Sequence, residues 1–329
     1  MTGSAHSPRA AAGPPRGGGA PTRSRQARAA GALRRTRLDE LLRRVGAWSG
    51  LLVLNYHRIG DPAGSVLDPE LFSASEAEFA AQIAFIAGRC EPIALHDVAA
   101  TLRARRGRRV LVTFDDGYRD NYEIAFAILR RHGVPATFFL ATGFLDRPRL
   151  SWWDELAWLG AGPAEAARYK ALVGEDGEAF LAAQARRAGR ERPPAAAAAG
   201  VWMTWEMARE MQAGGMSFGG HTVDHPILAR LPPELQEQQI AGCAARLREE
   251  LGIGLDAFSY PVGSPDSYDE TTKAIVRRAG CELAFAFAGG HARACATDSL
   301  EVPRMSIDRA LSTDEVRAAT VLPQLFARW

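Results

Sequence analysis

Residues 110–118 read Val110-Leu111-Val112-Thr113-Phe114-Asp115-Asp116-Gly117-Tyr118. A short apolar run leads into two adjacent carboxylates and a glycine. The end of such a strand is where an α/β chain presents side chains to a ligand. Two like charges side by side are costly to bury unless a cation or a shared proton relieves them. The segment therefore predicts a buried strand of an α/β fold and, at its end, a site that calls for a positive partner.

The surrounding sequence alternates strand and helix signals. Leu51-Leu52-Val53-Leu54 reads as a buried strand ending in Asn55-Tyr56-His57. Phe79, Ile83 and Ile86 recur at helical spacing over 75–89, with Ser75 and Glu78 placed as a capping box. A helix over 121–132 stops at Gly133-Val134-Pro135, and Ala136 to Leu140 is the next strand. Later come a helix from Pro233 to Leu251, a strand at Ala257 to Tyr260, a helix over 267–279 and a strand over 283–287. This alternation predicts a parallel sheet or barrel. Residues 144–200 break the rhythm and predict a mostly helical insertion folded over one end of the sheet.

The 329 residues suffice for one large core or two modest ones. The net charge of +2 divides into +8 for residues 1–37 and −6 for the remainder, because the first 37 carry eight arginines and no carboxylate. That Arg/Ala/Gly/Pro-rich stretch lacks apolar periodicity and is expected to be a disordered tail. It is basic enough for weak contact with anionic surfaces, nucleic acid or lipid, although no specific nucleic-acid partner is expected. A short amphipathic helix is predicted over 38–47. No secretory signal or bilayer-spanning run is legible, and Cys90, Cys243, Cys281 and Cys295 show no Cys-x-x-Cys spacing. A cytoplasmic setting is the expectation from these features. The oligomeric state is open.

His221-Thr222-Val223-Asp224-His225 supplies a candidate for the positive partner. Spacing of four puts both imidazoles on one side of a helical turn or tight loop. Capped or surface histidines share that spacing, so the pair gains meaning only beside the strand-terminal carboxylates. Two imidazoles and one carboxylate make a three-ligand set with open positions, which suits a catalytic Zn²⁺ or another divalent ion that takes N/O ligands. The second carboxylate is then free to take a proton from an attacking water.

These residues carry a family resemblance. Thr113-Phe114-Asp115-Asp116-Gly117-Tyr118 resembles the first motif of the polysaccharide deacetylase family, the NodB-homology domain of carbohydrate esterase family 4. His221-Thr222-Val223-Asp224-His225-Pro226 resembles its second, H-[ST]-x-x-H, and Pro135-Ala136-Thr137-Phe138-Phe139-Leu140 its following strand. The resemblance runs from about Leu51 to Arg309 and implies one NodB-like domain over 38–329, a distorted (β/α) barrel with the helical insertion. It implies one divalent metal, usually Zn²⁺ with Co²⁺ or Ni²⁺ as alternatives, and removal of acetyl groups from an N-acetylated glycan. Asp115 matches the catalytic base, and Asp116, His221 and His225 match the metal ligands.

Elsewhere the chain departs from the family pattern. The third motif, R-x-P-Y-G, is represented by Ser259-Tyr260-Pro261-Val262-Gly263. The backbone N–H of Val262 remains available to an oxyanion, since that role needs no side chain. Tyr260 stands beside it. Arg304 is the candidate substitute for the missing arginine. The L-x-H motif that often supplies the general acid has no counterpart, so Asp115 is a candidate for both proton transfers. His57 resembles the Y-H of an exopolysaccharide-linked branch and is expected near the pocket. Trp152 and Trp153 are candidates for stacking on sugar faces, or for anchoring the insertion. A C–N hydrolase for a small amide or cyclic imide, and a non-catalytic glycan binder, share this scaffold and stay open at this point.

Overall fold

The computed structural model describes residues 19–327 apart from 47, 64, 105–107, 174 and 175. Eleven strands occur among the described residues: β1 (Gly50–Tyr56), β2 (Arg58–Ile59), β3 (Phe72–Ala74), β4 (Glu91–Pro92), β5 (Arg108–Phe114), β6 (Ala136–Leu140), β7 (Ser217–Gly220), β8 (Ala257–Ser259), β9 (Leu283–Ala286), β10 (Val302–Pro303) and β11 (Met305–Ser306). Eight are parallel neighbours in the order β10-β9-β8-β7-β6-β5-β1-β11. β10 and β11 are one stretch of chain with Arg304 between them. Val302 pairs with Phe285 of β9, and Met305 pairs with Leu54 of β1. That stretch joins the two edges and curls the sheet into a nearly closed (β/α) barrel, the distorted form that the family resemblance implies. β4 extends the barrel at the start of β5, and β2 pairs with β3 in a small separate sheet.

Alternation along each strand divides the side chains between two cores. Leu51, Val53, Leu111, Phe139, Phe285 and Val302 form one cluster that fills the barrel. Leu52, Leu54, Val110, Val112 and Phe114 belong to the other, against the surrounding helices. Each fully buried side chain of this size contributes roughly 1.5–3 kcal/mol of transfer free energy. Extending the interior set one step along β1 and β5 reaches Asn55 and Thr113, then Asp115, all buried. The mouth of the barrel therefore turns polar where the strands end.

Helix α1 spans Gly19–Arg35, α2 spans Leu38–Val45 and α3 spans Glu76–Arg89. α3 carries the expected capping box: Glu78 N–H donates to Ser75 Oγ at 3.3 Å, and Ser75 N–H donates to Glu78 Oε2 at 2.9 Å. Between β6 and β7, the insertion holds three helices, Trp152–Trp158, Pro163–Lys170 and Gly177–Ala188, flanked by Thr142–Asp146 and Trp205–Ala213.

Over residues 19–35 the expected disorder is corrected by α1. Its Ala30 is buried, Arg34 pairs with Asp314 at 2.9 Å, and Gln26 donates to the Leu325 carbonyl at 3.2 Å. Alanine and arginine are strong helix formers. The docking patch is a single alanine with Leu33 beside it, too small to register as a periodic apolar face. Residues 1–18 lie outside the described residues.

Candidate active site

Asp115 sits on the barrel axis because the inward alternation of β5 carries one residue past the strand. It is 1% exposed, and Arg304, fully buried, grips it with both terminal nitrogens. Arg304 Nη1 donates to Asp115 Oδ1 at 2.9 Å and Nη2 to Oδ2 at 2.8 Å. The same nitrogens reach Asn55 Oδ1 at 2.7 Å and Ser259 Oγ at 2.9 Å. Asn55 Nδ2 and Ser259 Oγ in turn donate to Asp115 Oδ2, at 3.2 and 3.3 Å. Thr113 Oγ1 holds Asn55 Oδ1 at 2.6 Å. The guanidinium carbon lies 4.5 Å from the centre of the Phe287 ring, which adds cation–π attraction. Burial pushes the Asp115 carboxyl up, but the Arg304 charge, with His221 behind it, outweighs burial and holds the carboxyl well below its usual range.

Asp116 turns away from its neighbour because its backbone is left-handed, with φ of 76°. Gly117 follows at φ 91°, where a Cβ would also crowd Leu140 and Leu145 at 3.1 and 3.3 Å. The turn sends adjacent carboxylates in different directions. Asp116 Oδ1 faces His221 Nε2 at 3.4 Å and His225 Nε2 at 3.5 Å. Thr222 and His225 are left-handed as well, at φ 68° and 55°, so the histidines sit on a tight loop and not on a helix. Such backbone costs of order 1–3 kcal/mol per residue and clusters at functional sites.

His221 Nδ1 lies 2.7 Å from the Ser259 carbonyl oxygen, a contact that requires the proton on Nδ1 and leaves the Nε2 lone pair toward Asp116. His225 packs edge-on against Trp153, ring centres 4.5 Å apart. Burial, reinforced by the nearby His221, pushes His225 down to about 3, which keeps it neutral. Burial lowers His221 too, but Asp115 and Asp116 outweigh it and its pKa is raised. Burial raises Asp116, and the two imidazoles more than compensate.

One ligand atom from each of Asp116, His221 and His225 lies within 4.8 Å of the others. Asp116 Oδ1 is buried without a hydrogen bond. An ionised oxygen left so is expensive unless a cation completes it. The donor set, two nitrogens and one oxygen, fits a divalent ion of the zinc type.

A cavity of about 370 Å³ opens over these residues. His57, Asp115, Asp116, His221, His225 and Val262 line its floor and wall, and Trp152, Trp153 and Lys170 of the insertion line its other side. Val262 is left-handed at φ 64°. Trp153 Nε1 donates to Tyr118 Oη at 2.8 Å, which donates to Asp154 Oδ2 at 2.7 Å. Trp152 stacks on Tyr169 at 4.4 Å, and its Nε1 is buried with no partner.

Of the residues singled out in the sequence, Asp115, Asp116, His57, His221, His225, Val262, Trp152 and Trp153 line one cavity, and Arg304 stands behind it. Tyr260 is corrected to a core residue. Its hydroxyl donates to the Leu300 carbonyl at 3.0 Å and its ring stacks on Tyr268, because strand alternation turns it outward. Asn55 and Ser259 were missed. The signal was present for Asn55, a polar residue in phase with the interior-facing Leu51 and Val53.

A family model described as polysaccharide deacetylase matches residues 103–284, more than half of the chain. YxkH of Bacillus subtilis (strain 168), which carries a polysaccharide deacetylase designation, is 24% identical over 174 residues, 53% of this chain and 43% of that protein. The chain thus matches less than half the length of that curated relative. Deacetylase PplD of Streptococcus pyogenes, solved in complex with acetate, superposes with a TM-score of 0.59 at 20% identity, covering 85% of this chain and 99% of that one. IcaB from Ammonifex degensii superposes with a TM-score of 0.56 at 25% identity, covering 84% and 97% respectively.

Proposed function

The chain belongs to the polysaccharide deacetylase family, and on that premise we propose that it removes N-acetyl groups from an N-acetylated polysaccharide or glycan intermediate. The observation that carries this reading is the divergence of two adjacent acids. Asp115 is fixed and ionised by Arg304, while Asp116 is aimed at two imidazole nitrogens. A pure glycan binder has no use for a desolvated, oriented carboxylate beside such a set.

Asp116, His221 and His225 would hold one divalent ion, Zn²⁺ or alternatively Co²⁺ or Ni²⁺. Bound there, the ion would supply Lewis acidity for the amide carbonyl and acidify a water to a pKa near roughly 7. Asp115 takes the proton from the attacking water as general base. Arg304, Asn55 and Ser259 keep its carboxylate in one orientation, which saves the cost of reorganising it during the reaction. The Val262 N–H donates to the oxygen that becomes negative. His57, lining the cavity and not part of the ligand set, is the candidate to protonate the departing amine, with Asp115 itself as the alternative. Trp152, which lines the cavity, is the candidate to present apolar ring surface to a sugar.

The altered third motif and the tryptophan-bearing insertion support an exopolysaccharide substrate over chitin or peptidoglycan. The test is acetate release from N-acetylglucosamine oligomers with Zn²⁺ or Co²⁺, with and without chelator. Release that survives chelation rules out the metal-dependent reading. The Asp115→Asn protein should bind metal and lose turnover by roughly 10²–10⁴-fold. Loss of metal instead would reverse the roles of the two acids.

A further inference from the structure

We propose that the closed end of the barrel, opposite the site, docks on an anionic lipid bilayer through helix α2. α2 packs its inner side on the protein. Arg43 lies 5.0 Å from the centre of the Phe85 ring and donates to Thr320 Oγ1 at 3.3 Å, with Asp39 turned inward beside it. Its outer side is apolar and uncovered by any described residue: Leu38 is 42% exposed, Leu41 55% and Val45 68%. Positions 38, 41 and 45 form a single stripe at helical spacing.

The surroundings of that stripe are basic. Arg35 and Arg37 precede it, Arg44 flanks it, and all three are exposed. A cavity of about 390 Å³ beneath α2 is lined by Arg43, Arg89 and Arg108, with Glu91 at its edge already paired to Arg109 at 2.8 Å. Among the described residues, no carboxylate lies within 4.0 Å of Arg35, Arg37, Arg44, Arg89 or Arg108. Glu40 is the exposed carboxylate on α2, outnumbered by these cations. A short apolar stripe bordered by unpaired arginines suits the boundary of a bilayer, where side chains enter the acyl edge and guanidiniums meet phosphates. Neither a polar polysaccharide nor bulk water offers the apolar half of that match.

The position of α2 gives the docking a direction. It ends shortly before β1 begins, and Arg43 touches the Arg89 carbonyl at the end of α3. Both mark the end of the barrel where strands start. The site lies where strands finish, roughly 20 Å away across strands of this length. A docked molecule therefore opens its cavity away from the lipid, toward polymer and not toward a lipid-linked headgroup.

The test is flotation of the full chain with vesicles of phosphatidylcholine alone or mixed with phosphatidylglycerol. Binding to the mixed vesicles, weakened at about 0.5 M salt, is expected because screening shortens the reach of exposed charge. Leu41→Asp/Val45→Asp should reduce bound protein by roughly tenfold or more with an unchanged unfolding midpoint. Arg35→Glu/Arg44→Glu should do so on mixed vesicles without touching the apolar stripe. An unbound wild-type chain on mixed vesicles overturns the proposal, as does equal binding by both variants. A wild-type dimer that Leu41→Asp/Val45→Asp makes monomeric, with no vesicle binding, overturns it in favour of a second copy on this face.

Discussion

Arg304 and Asp115 form a bidentate ion pair at 2.8 and 2.9 Å between chain positions 189 residues apart, with neither side chain more than 1% exposed. Two parallel bonds from a planar guanidinium fix both the position and the plane of the carboxylate. The pair also has a thermodynamic sign. A carboxyl held below its unfolded pKa stabilises the fold above that unfolded pKa, and loses that contribution as pH falls. Within the proposed reaction the arginine does no chemistry itself. It positions the group that does.

Replacing Arg304 by Met should therefore strand a buried carboxylate, destabilising the fold by roughly 3–5 kcal/mol and lowering kcat at least tenfold. Arg304→Lys keeps the charge but not the fork, and should retain more stability than rate. The informative experiment is rescue. Ser259 occupies the place where the family pattern has its arginine, and Ser259 Oγ already touches Arg304 Nη2 at 2.9 Å. Ser259→Arg in the Arg304→Met background should return part of the lost kcat and unfolding midpoint. A purely structural role for Arg304 predicts recovery of the midpoint with no recovery of kcat.

What could be read from the sequence followed from local rules. The Val110–Phe114 run, the Ser75 capping box and the paired acids and histidines all declare themselves within a few residues. What could not be read depended on tertiary closure. β10 and β11 are two residues each, too short for any periodic signal, and their pairing exists because one stretch of chain reaches both sheet edges. Arg304 was legible as a candidate from its position alone. Its bond to Asp115 depends on that same closure. Tyr260 was misplaced because motif adjacency says nothing about which side of a strand a residue faces. The docking of α1 relies on one small buried residue, which no sequence window distinguishes from a solvated helix.

Metal removal should be visible in stability as well as in rate. An ion held by Asp116, His221 and His225 would stabilise the folded state by mass action, about 2.7 kcal/mol when free metal is 100 times its Kd. Calorimetric unfolding in a metal buffer and in excess chelator should differ accordingly. Asp116→Asn should abolish most of that difference, since Asp116 Oδ1 is the buried oxygen left without a hydrogen bond. A metal-dependent shift that persists in Asp116→Asn would place the ion elsewhere.

His57 separates two schemes for leaving-group protonation. Its ring stacks with Phe287 at 6.1 Å and it lines the cavity without joining the ligand set. If it protonates the amine, His57→Gln should lower kcat by roughly 10²-fold and leave metal content unchanged. A fall of only a few-fold, measured as acetate release under saturating substrate, would assign both proton transfers to Asp115.

Asp154 should impose a pH dependence on stability that is independent of the ligand set. Burial raises its carboxyl from the ordinary 3.8 to about 6, despite hydrogen bonds from Tyr118, the Asp68 N–H and Ser151. A raised acid binds its proton more tightly when folded. Its contribution is therefore present below pH 4 and is lost as pH climbs to about 6. The loss is on the order of 3 kcal/mol at 1.36 kcal/mol per pKa unit. Denaturant unfolding of wild type and Asp154→Asn across this range should show the difference between them falling with rising pH, then flattening above pH 6. A constant difference would show that the carboxyl titrates normally.

Val262 distinguishes a backbone role from a side-chain one. A β-branched residue at φ 64° carries a steric penalty of roughly 1–2 kcal/mol relative to right-handed backbone. Glycine removes that penalty but adds roughly 0.5–1 kcal/mol of unfolded-chain entropy, so Val262→Gly should sit within about 1 kcal/mol of wild type. The N–H proposed to meet the oxyanion is retained, and kcat should stay within a few-fold. If kcat instead falls by more than roughly 10²-fold, the scale of a lost oxyanion donor, while stability holds, the loop is relying on the valine to aim that N–H. The strained conformation would then be part of the catalytic geometry and not merely the turn that leads out of β8.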